Sequence, residues 1–127
     1  MKTALTYLVA ALGIAAVSPA LAEGDAAAGE KVFKKCQACH AVGEDAKNRV
    51  GPILTGIIDR PAGQVEGFKY SKSLEELAAG GLTWDDATLR AYLAKPKDVI
   101  PKGTMAFAGL KKEKEIDDVL AYLATFQ

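Results

Sequence analysis

The sequence is short of the side chains that build most active sites. Its 127 residues hold one histidine, two cysteines, two methionines and one tryptophan. Catalysis by cysteine and histidine usually joins residues distant in sequence, and no second histidine exists here to serve as the base. A closed structural zinc site needs four protein ligands, usually Cys and His, so three such residues cannot complete one. An excess of one charge is also missing. The 16 basic and 16 acidic side chains cancel, which argues against general nucleic-acid binding. No apolar run reaches the ~20 residues that a membrane-spanning helix needs. Neither a repeat nor a low-complexity tract divides residues 23–127, which read as one domain.

What is present is concentrated. Both cysteines and the histidine lie in one pentapeptide, Cys36-Gln37-Ala38-Cys39-His40. Two thiols at this spacing can each add to one vinyl group of a porphyrin as a thioether, and the adjacent imidazole can then bind iron from beneath the ring. C-x-x-C-H is the signature of c-type heme attachment. A thioredoxin-like pair would sit in a βαβ context, whereas the flanks here read as helical. A disulfide across two intervening residues would staple almost nothing. Heme gives the thiols a better use and enlarges the modest core that so short a chain can bury.

The first residues point to export. Lys2 supplies a positive n-region, residues 4–17 form a short apolar run, and Pro19 precedes the cleavage signal Ala20-Leu21-Ala22. Residues 1–22 are expected to be a cleaved secretory signal peptide, leaving residues 23–127 as a soluble periplasmic domain. An uncleaved anchor would need a longer apolar run and would gain nothing from an A-x-A site.

A helix is expected from Asp25, its N-cap, with Gly29, Val32, Phe33 and Cys36 on one face leading into the motif. Gly29 suggests a close approach by another helix. Residues 41–70 read as loops. A second helix is expected over 71–79, closed by Gly80 and Gly81. A third is expected to be capped by Thr83, with Leu89, Tyr92 and Leu93 inward, and to end at Pro96; a further turn covers 98–100. The last runs over about 112–126, with Ile116, Val119, Leu120 and Leu123 as its stripe and Glu113, Asp117 and Asp118 outside it.

Two loops carry further chemistry. Gly51-Pro52 could return over the histidine side of the ring, where the Pro52 carbonyl could accept from the free ring nitrogen of His40. Arg60, Tyr70 and Trp84 are polar-tipped residues able to meet the heme propionates. Met105, on the loop Pro101-Lys102-Gly103-Thr104-Met105, is the one methionine left once the leader is removed. With no second histidine, the sixth iron position falls to Met105, a lysine, water or nothing. A thioether there raises the potential and suits reversible one-electron transfer.

Taken in order, these residues resemble a class I c-type cytochrome, the short-form bacterial cytochromes c2 and mitochondrial cytochrome c among them. The resemblance runs from Gly24 to the C-terminus. It is carried by Gly29 to Phe33, the Cys36–His40 motif, Gly51-Pro52 with Leu54, Arg60, and Gly67-Phe68-Lys69-Tyr70. Leu82-Thr83-Trp84, Tyr92-Leu93, Pro96-Lys97, Met105 with Phe107-Ala108-Gly109, and Ala121-Tyr122-Leu123 continue it. It implies an all-α cytochrome c fold in which N- and C-terminal helices cross beside a covalent heme, with shorter helices and loops wrapping it. It implies one heme c, thioether-linked at Cys36 and Cys39, with His40 and Met105 as axial ligands. Pro52 would be the carbonyl partner of His40, Arg60, Tyr70 and Trp84 would surround the propionates, and Tyr92 would lie near Met105. Two departures stand out. Gly103 replaces the threonine that mitochondrial members place two residues before the methionine, and the stretch from Tyr70 to Trp84 is longer and lacks the expected asparagine.

The expected function is a one-electron carrier and not an enzyme. The resemblance suggests a cytochrome bc1 complex as donor and a terminal oxidase or photosynthetic reaction centre as acceptor, in a respiratory or photosynthetic chain. Lys34, Lys35, Lys95, Lys97 and Lys102 would dock acidic partners, and the protein would be a monomer without nucleic-acid ligands. The rival readings, a peroxidase or nitrite-handling enzyme or a gas-binding module, need an open iron site.

Overall fold

The computed structural model describes residues 8–11, 13 and 24–127. The expected cleavage after Ala22 and most of the leader lie outside the described residues. Helix α1 (Ala26–Phe33) begins as its sequence requires. The Asp25 carboxylate accepts from the Ala27 and Ala28 amides at 2.9 and 3.4 Å, satisfying donors that have no partner within the helix. Gly29, Val32 and Phe33 are its buried face. That face meets α5 (Glu113–Ala124), whose Ile116, Val119, Leu120 and Leu123 are buried. A Cβ at Gly29 would collide with the Asp118 carbonyl and stand 2.8 Å from the Tyr122 Cβ. The close approach expected at Gly29 is therefore what the two helices make.

Asp118 departs from expectation. Its place among the acids suggested an outward position, yet only 5 % of its surface is exposed. One carboxylate oxygen accepts from the Asp25 N–H at 2.9 Å and the other pairs with Lys114 at 2.8 Å. Burial is tolerable because both oxygens are bonded. These two bonds also hold the carboxyl below the usual range.

Helix α2 (Lys72–Ala79) is capped by the Ser71 hydroxyl, which accepts from the Leu74 amide at 3.1 Å. Helix α3 (Asp86–Ala94) is capped by Asp85, which accepts from the Thr88 amide at 2.8 Å, and not by Thr83. Thr83 lies in an extended stretch that pairs with Pro61 in an isolated antiparallel bridge. Bonds from Ala62 N–H to the Leu82 carbonyl and from Trp84 N–H to the Arg60 carbonyl tie the same stretch down. The helix thus starts two residues later than the capping-box pattern suggests. Pro96 does not merely stop α3; it opens a separate turn, α4 (Pro96–Val99), because proline's fixed φ and missing N–H suit a first helical position.

The described chain is all-α apart from that bridge. Its core gathers Val32 and Phe33 of α1, Leu89 of α3, the stripe of α5, and Ile57, Trp84, Ile100 and Leu110 from the connections. The loops of 34–71 and 100–112 lie outside any helix and carry the chemistry.

Candidate heme site and relatives

The attachment motif continues α1 as a series of turns. Cys36 N–H bonds to the Phe33 carbonyl at 2.7 Å, and His40 N–H to the Cys36 carbonyl at 2.9 Å. Both cysteines are free and half buried. Burial pushes the Cys36 thiol above its ordinary value, with Lys35 opposing and Cys39 assisting.

The loop at Gly51-Pro52 returns against the imidazole. A Cβ at Gly51 would strike the His40 ring, so glycine is what lets the backbone pass. Gly51 N–H bonds to the Cys39 carbonyl at 2.9 Å. His40 Nδ1 lies 2.7 Å from the Pro52 carbonyl oxygen. A carbonyl only accepts, so Nδ1 carries the proton and Nε2 keeps its lone pair. Burial lowers the His40 pKa, and the bond to Pro52 opposes the shift. The result is a neutral imidazole of fixed tautomer, the form that binds a metal.

Met105 sits half buried on the second loop. The Tyr92 hydroxyl donates to its sulfur at 3.5 Å. The loop is closed at Gly109, whose φ of +112° and contact with the Ala94 carbonyl leave no room for a side chain, and by Leu110 N–H bonding to the Leu93 carbonyl at 2.7 Å. Gly103 presents no side chain; its carbonyl accepts from Lys97 Nζ at 2.9 Å.

The three residues expected near the propionates fare differently. Arg60 donates to the carbonyls of Thr55 at 2.9 Å and Ile53 at 3.5 Å, using two of its five N–H donors. Burial lowers its pKa and Tyr70 opposes this. An open cavity of about 430 Å³ is lined by Arg60, Lys47, Asn48, Ile53, Val65, Glu66 and Ala46. The Tyr70 hydroxyl accepts from the Val65 amide at 2.9 Å, bracing that wall. Trp84 is buried, its ring 4.8 Å from that of Tyr92. Of the lysines expected to dock a partner, Lys35 pairs with Glu115 at 2.8 Å and Lys95 with Asp98 at 3.7 Å. Sequence reasoning missed Asn48, whose role rests on partners in two separate loops and leaves no mark in its local pattern.

Heme fits these residues on the chemistry of the donors. Among the described residues no group of three His, Cys, Asp or Glu could hold a bare metal ion, whereas two thiols beside a tautomer-fixed imidazole suit a porphyrin. Leu54, Leu74, Leu77, Leu82, Leu93 and Phe107 pack on the core yet stay only partly buried, so a flat apolar group laid against them would complete it. Arg60 retains donors for an anionic edge.

A helical shell of this kind, shut by its first and last helices and opening on one thioether-forming motif, is that of a covalent-heme electron-transfer protein. Comparison with known proteins agrees. The family model described as cytochrome c matches residues 26–127. A cytochrome c-550 of Ancylobacter novellus is 56 % identical over 79 % of this chain and 94 % of its own. A cytochrome c2 of Afifella marina is 51 % identical over 79 % and 81 %. The solved cytochrome c2 of Rhodospirillum centenum superposes with a TM-score of 0.77 at 45 % identity, over 81 % of this chain and 98 % of that one. The chain belongs to the cytochrome c family, as a class I member similar to the bacterial cytochromes c2. Its cofactor is covalent heme c, and the family is one of electron carriers, not enzymes.

Proposed function

We propose that the protein is a soluble periplasmic carrier whose single heme, linked through Cys36 and Cys39, is ligated by His40 and Met105. Electrons would pass from a cytochrome bc1 complex to a terminal oxidase or a photosynthetic reaction centre. The observation that carries the reading is the 2.7 Å bond between His40 Nδ1 and the Pro52 carbonyl, which aims a lone pair on Nε2 from a braced backbone. The Tyr92 contact with Met105 supports the second ligand. Among the described residues no helix is long and apolar enough to cross a membrane.

Bound heme supplies a one-electron ferrous/ferric couple. The residues supply the rest. His40 and Met105 are each held by a hydrogen bond and a loop closure, so the ligand geometry need not reorganise between redox states. Arg60 would offer charge to the propionates, and Tyr92, which donates to the Met105 sulfur, would help hold that thioether toward the iron. The decisive test is the optical spectrum of protein matured in a heme-attaching host. A far-red methionine–iron band when oxidised, and no carbon monoxide shift when reduced, are the expected results. Ready carbon monoxide binding without that band would overturn the ligand assignment. Mass spectrometry of the exported protein should find it beginning at Glu23.

A further inference from the structure

Helix α3 carries the Tyr92 hydroxyl to the Met105 sulfur, so the placement of the helix is the placement of that donor. Leu89 is its one buried residue, and Leu89 and Leu120 of α5 line a common crevice. Apolar packing holds two helices together but is not directional, so it resists sliding weakly. Direction comes from Arg90. Its Nε donates to Asp86 Oδ2 at 2.9 Å, one turn earlier on α3, and its Nη1 donates to Asp117 Oδ1 on α5. Among the described residues no other hydrogen bond or ion pair joins α3 to α5. The pair is only partly open to solvent, with 31 % of the Arg90 side chain and 24 % of that of Asp117 exposed. The next carboxylate along, Asp118, is already taken by Lys114 and by the Asp25 N–H. Two consecutive residues of α5 therefore hold two different elements: Asp118 the start of α1, which leads into Cys36–His40, and Asp117 the helix of Tyr92.

We propose that Arg90 is a positioning residue for the sixth iron ligand. Its fork over Asp86 and Asp117 fixes α3 along α5 and so keeps the Tyr92 hydroxyl on the Met105 sulfur. Arginine suits the task because a planar guanidinium serves two carboxylates at once in a rigid geometry that a lysine ammonium lacks. The Asp86 bond orients the group from within α3, and the Asp117 bond is the one that crosses between helices. Arg90 acts through α3 and not on the sulfur itself. The inference rests on Met105 being the sixth ligand, as proposed above.

The test uses the heme-loaded ferric protein, with imidazole as a probe that competes with the Met105 sulfur for the iron. Arg90→Met keeps the apolar stem and removes the fork. Imidazole should then bind roughly two- to fivefold more tightly, the contribution of a partly exposed ion pair, and the far-red methionine band should weaken. Asp117→Ala should match it, and the two changes combined should add little to either alone. Arg90→Lys, which keeps the charge without the fork, should fall between. The discriminating background is Tyr92→Phe, which has no hydroxyl to place: there Arg90→Met should leave the imidazole affinity unchanged. A structural role alone would lower the urea midpoint and move the affinity equally, or not at all, in both backgrounds, and either result would overturn the proposal. A methionine band missing from the unsubstituted protein is a different observation; it would overturn the ligand assignment and this inference with it.

Discussion

The Tyr92 hydroxyl reaches the Met105 sulfur at 3.5 Å while its ring packs 4.8 Å from that of Trp84, so one side chain serves both the proposed ligand and the core. Burial pushes its phenol from 10.0 up to about 12. The folded state thus keeps a proton that the unfolded state loses first. Stability should fall as pH rises through the window from 10 to about 12, by roughly 2 kcal/mol. Tyr92→Phe cannot titrate, so denaturant midpoints on either side of that window should converge relative to the unsubstituted protein. The same variant should perturb the methionine–iron band at neutral pH. Asp59 is a second residue under local constraint, the one described non-glycine residue with a positive φ, +63°. Its amide still bonds to the Trp84 carbonyl at 2.8 Å, so the conformation is imposed by the fold. Asp59→Gly should stabilise by up to ~1 kcal/mol by relieving it, and Asp59→Val should destabilise by more than ~1 kcal/mol, since branched side chains fit this region worst. Urea midpoints would decide both.

Among the elements, the α1–α5 crossing depends on a missing side chain. Gly29→Ala would drive a methyl into the Asp118 carbonyl, a backbone atom with nowhere to move. We expect a loss of ~1–3 kcal/mol, seen as a lower thermal midpoint. The sequence announced this crossing through its two apolar stripes and Gly29, and it announced the site through Cys36–His40 and Gly51-Pro52. These are local patterns, in which spacing within a few residues carries the information. Asp118 and Asn48 could not be read in this way. The Asp25–Asp118 bond joins residues 93 apart and the Asn48–Glu66 bond residues 18 apart, and nothing in either neighbourhood distinguishes a buried, bonded side chain from a solvated one. The start of α3 differs for a related reason: Thr83 is a good cap in isolation, but its neighbours Leu82 and Trp84 bond across to Ala62 and Arg60 and its hydroxyl donates to the Gly81 carbonyl, so Asp85 takes the cap.

At the scale of the molecule, neutrality conceals polarity. Lysines gather in 31–35 and 95–112, while α5 and the start of α3 carry acids. Such a distribution orients an approaching partner more than it tightens the complex. Neutralising Lys34, Lys35 and Lys97 together should slow association with an acidic redox partner and flatten its dependence on ionic strength, measured by stopped-flow over a salt series. An unchanged salt slope would remove these lysines from the docking face. The three are not equal. Lys35 already pairs with Glu115 and Lys97 already donates to the Gly103 carbonyl, so Lys34 should account for the largest single share.

The crossing of α1 and α5 also imposes an order in time. Helix α1 can find its packing surface, and the Asp25 amide its carboxylate, only when a segment some ninety residues downstream has been delivered (93 between Asp25 and Asp118). Closure over so long a loop is slow. Until it happens, the turn carrying Cys36 and Cys39 hangs from a helix with no partner, its thiols open to whatever machinery joins them to the porphyrin. In a chain made from its N-terminus, the contact that seals the finished molecule must wait for the far end to be delivered, and until then the two thiols stay accessible.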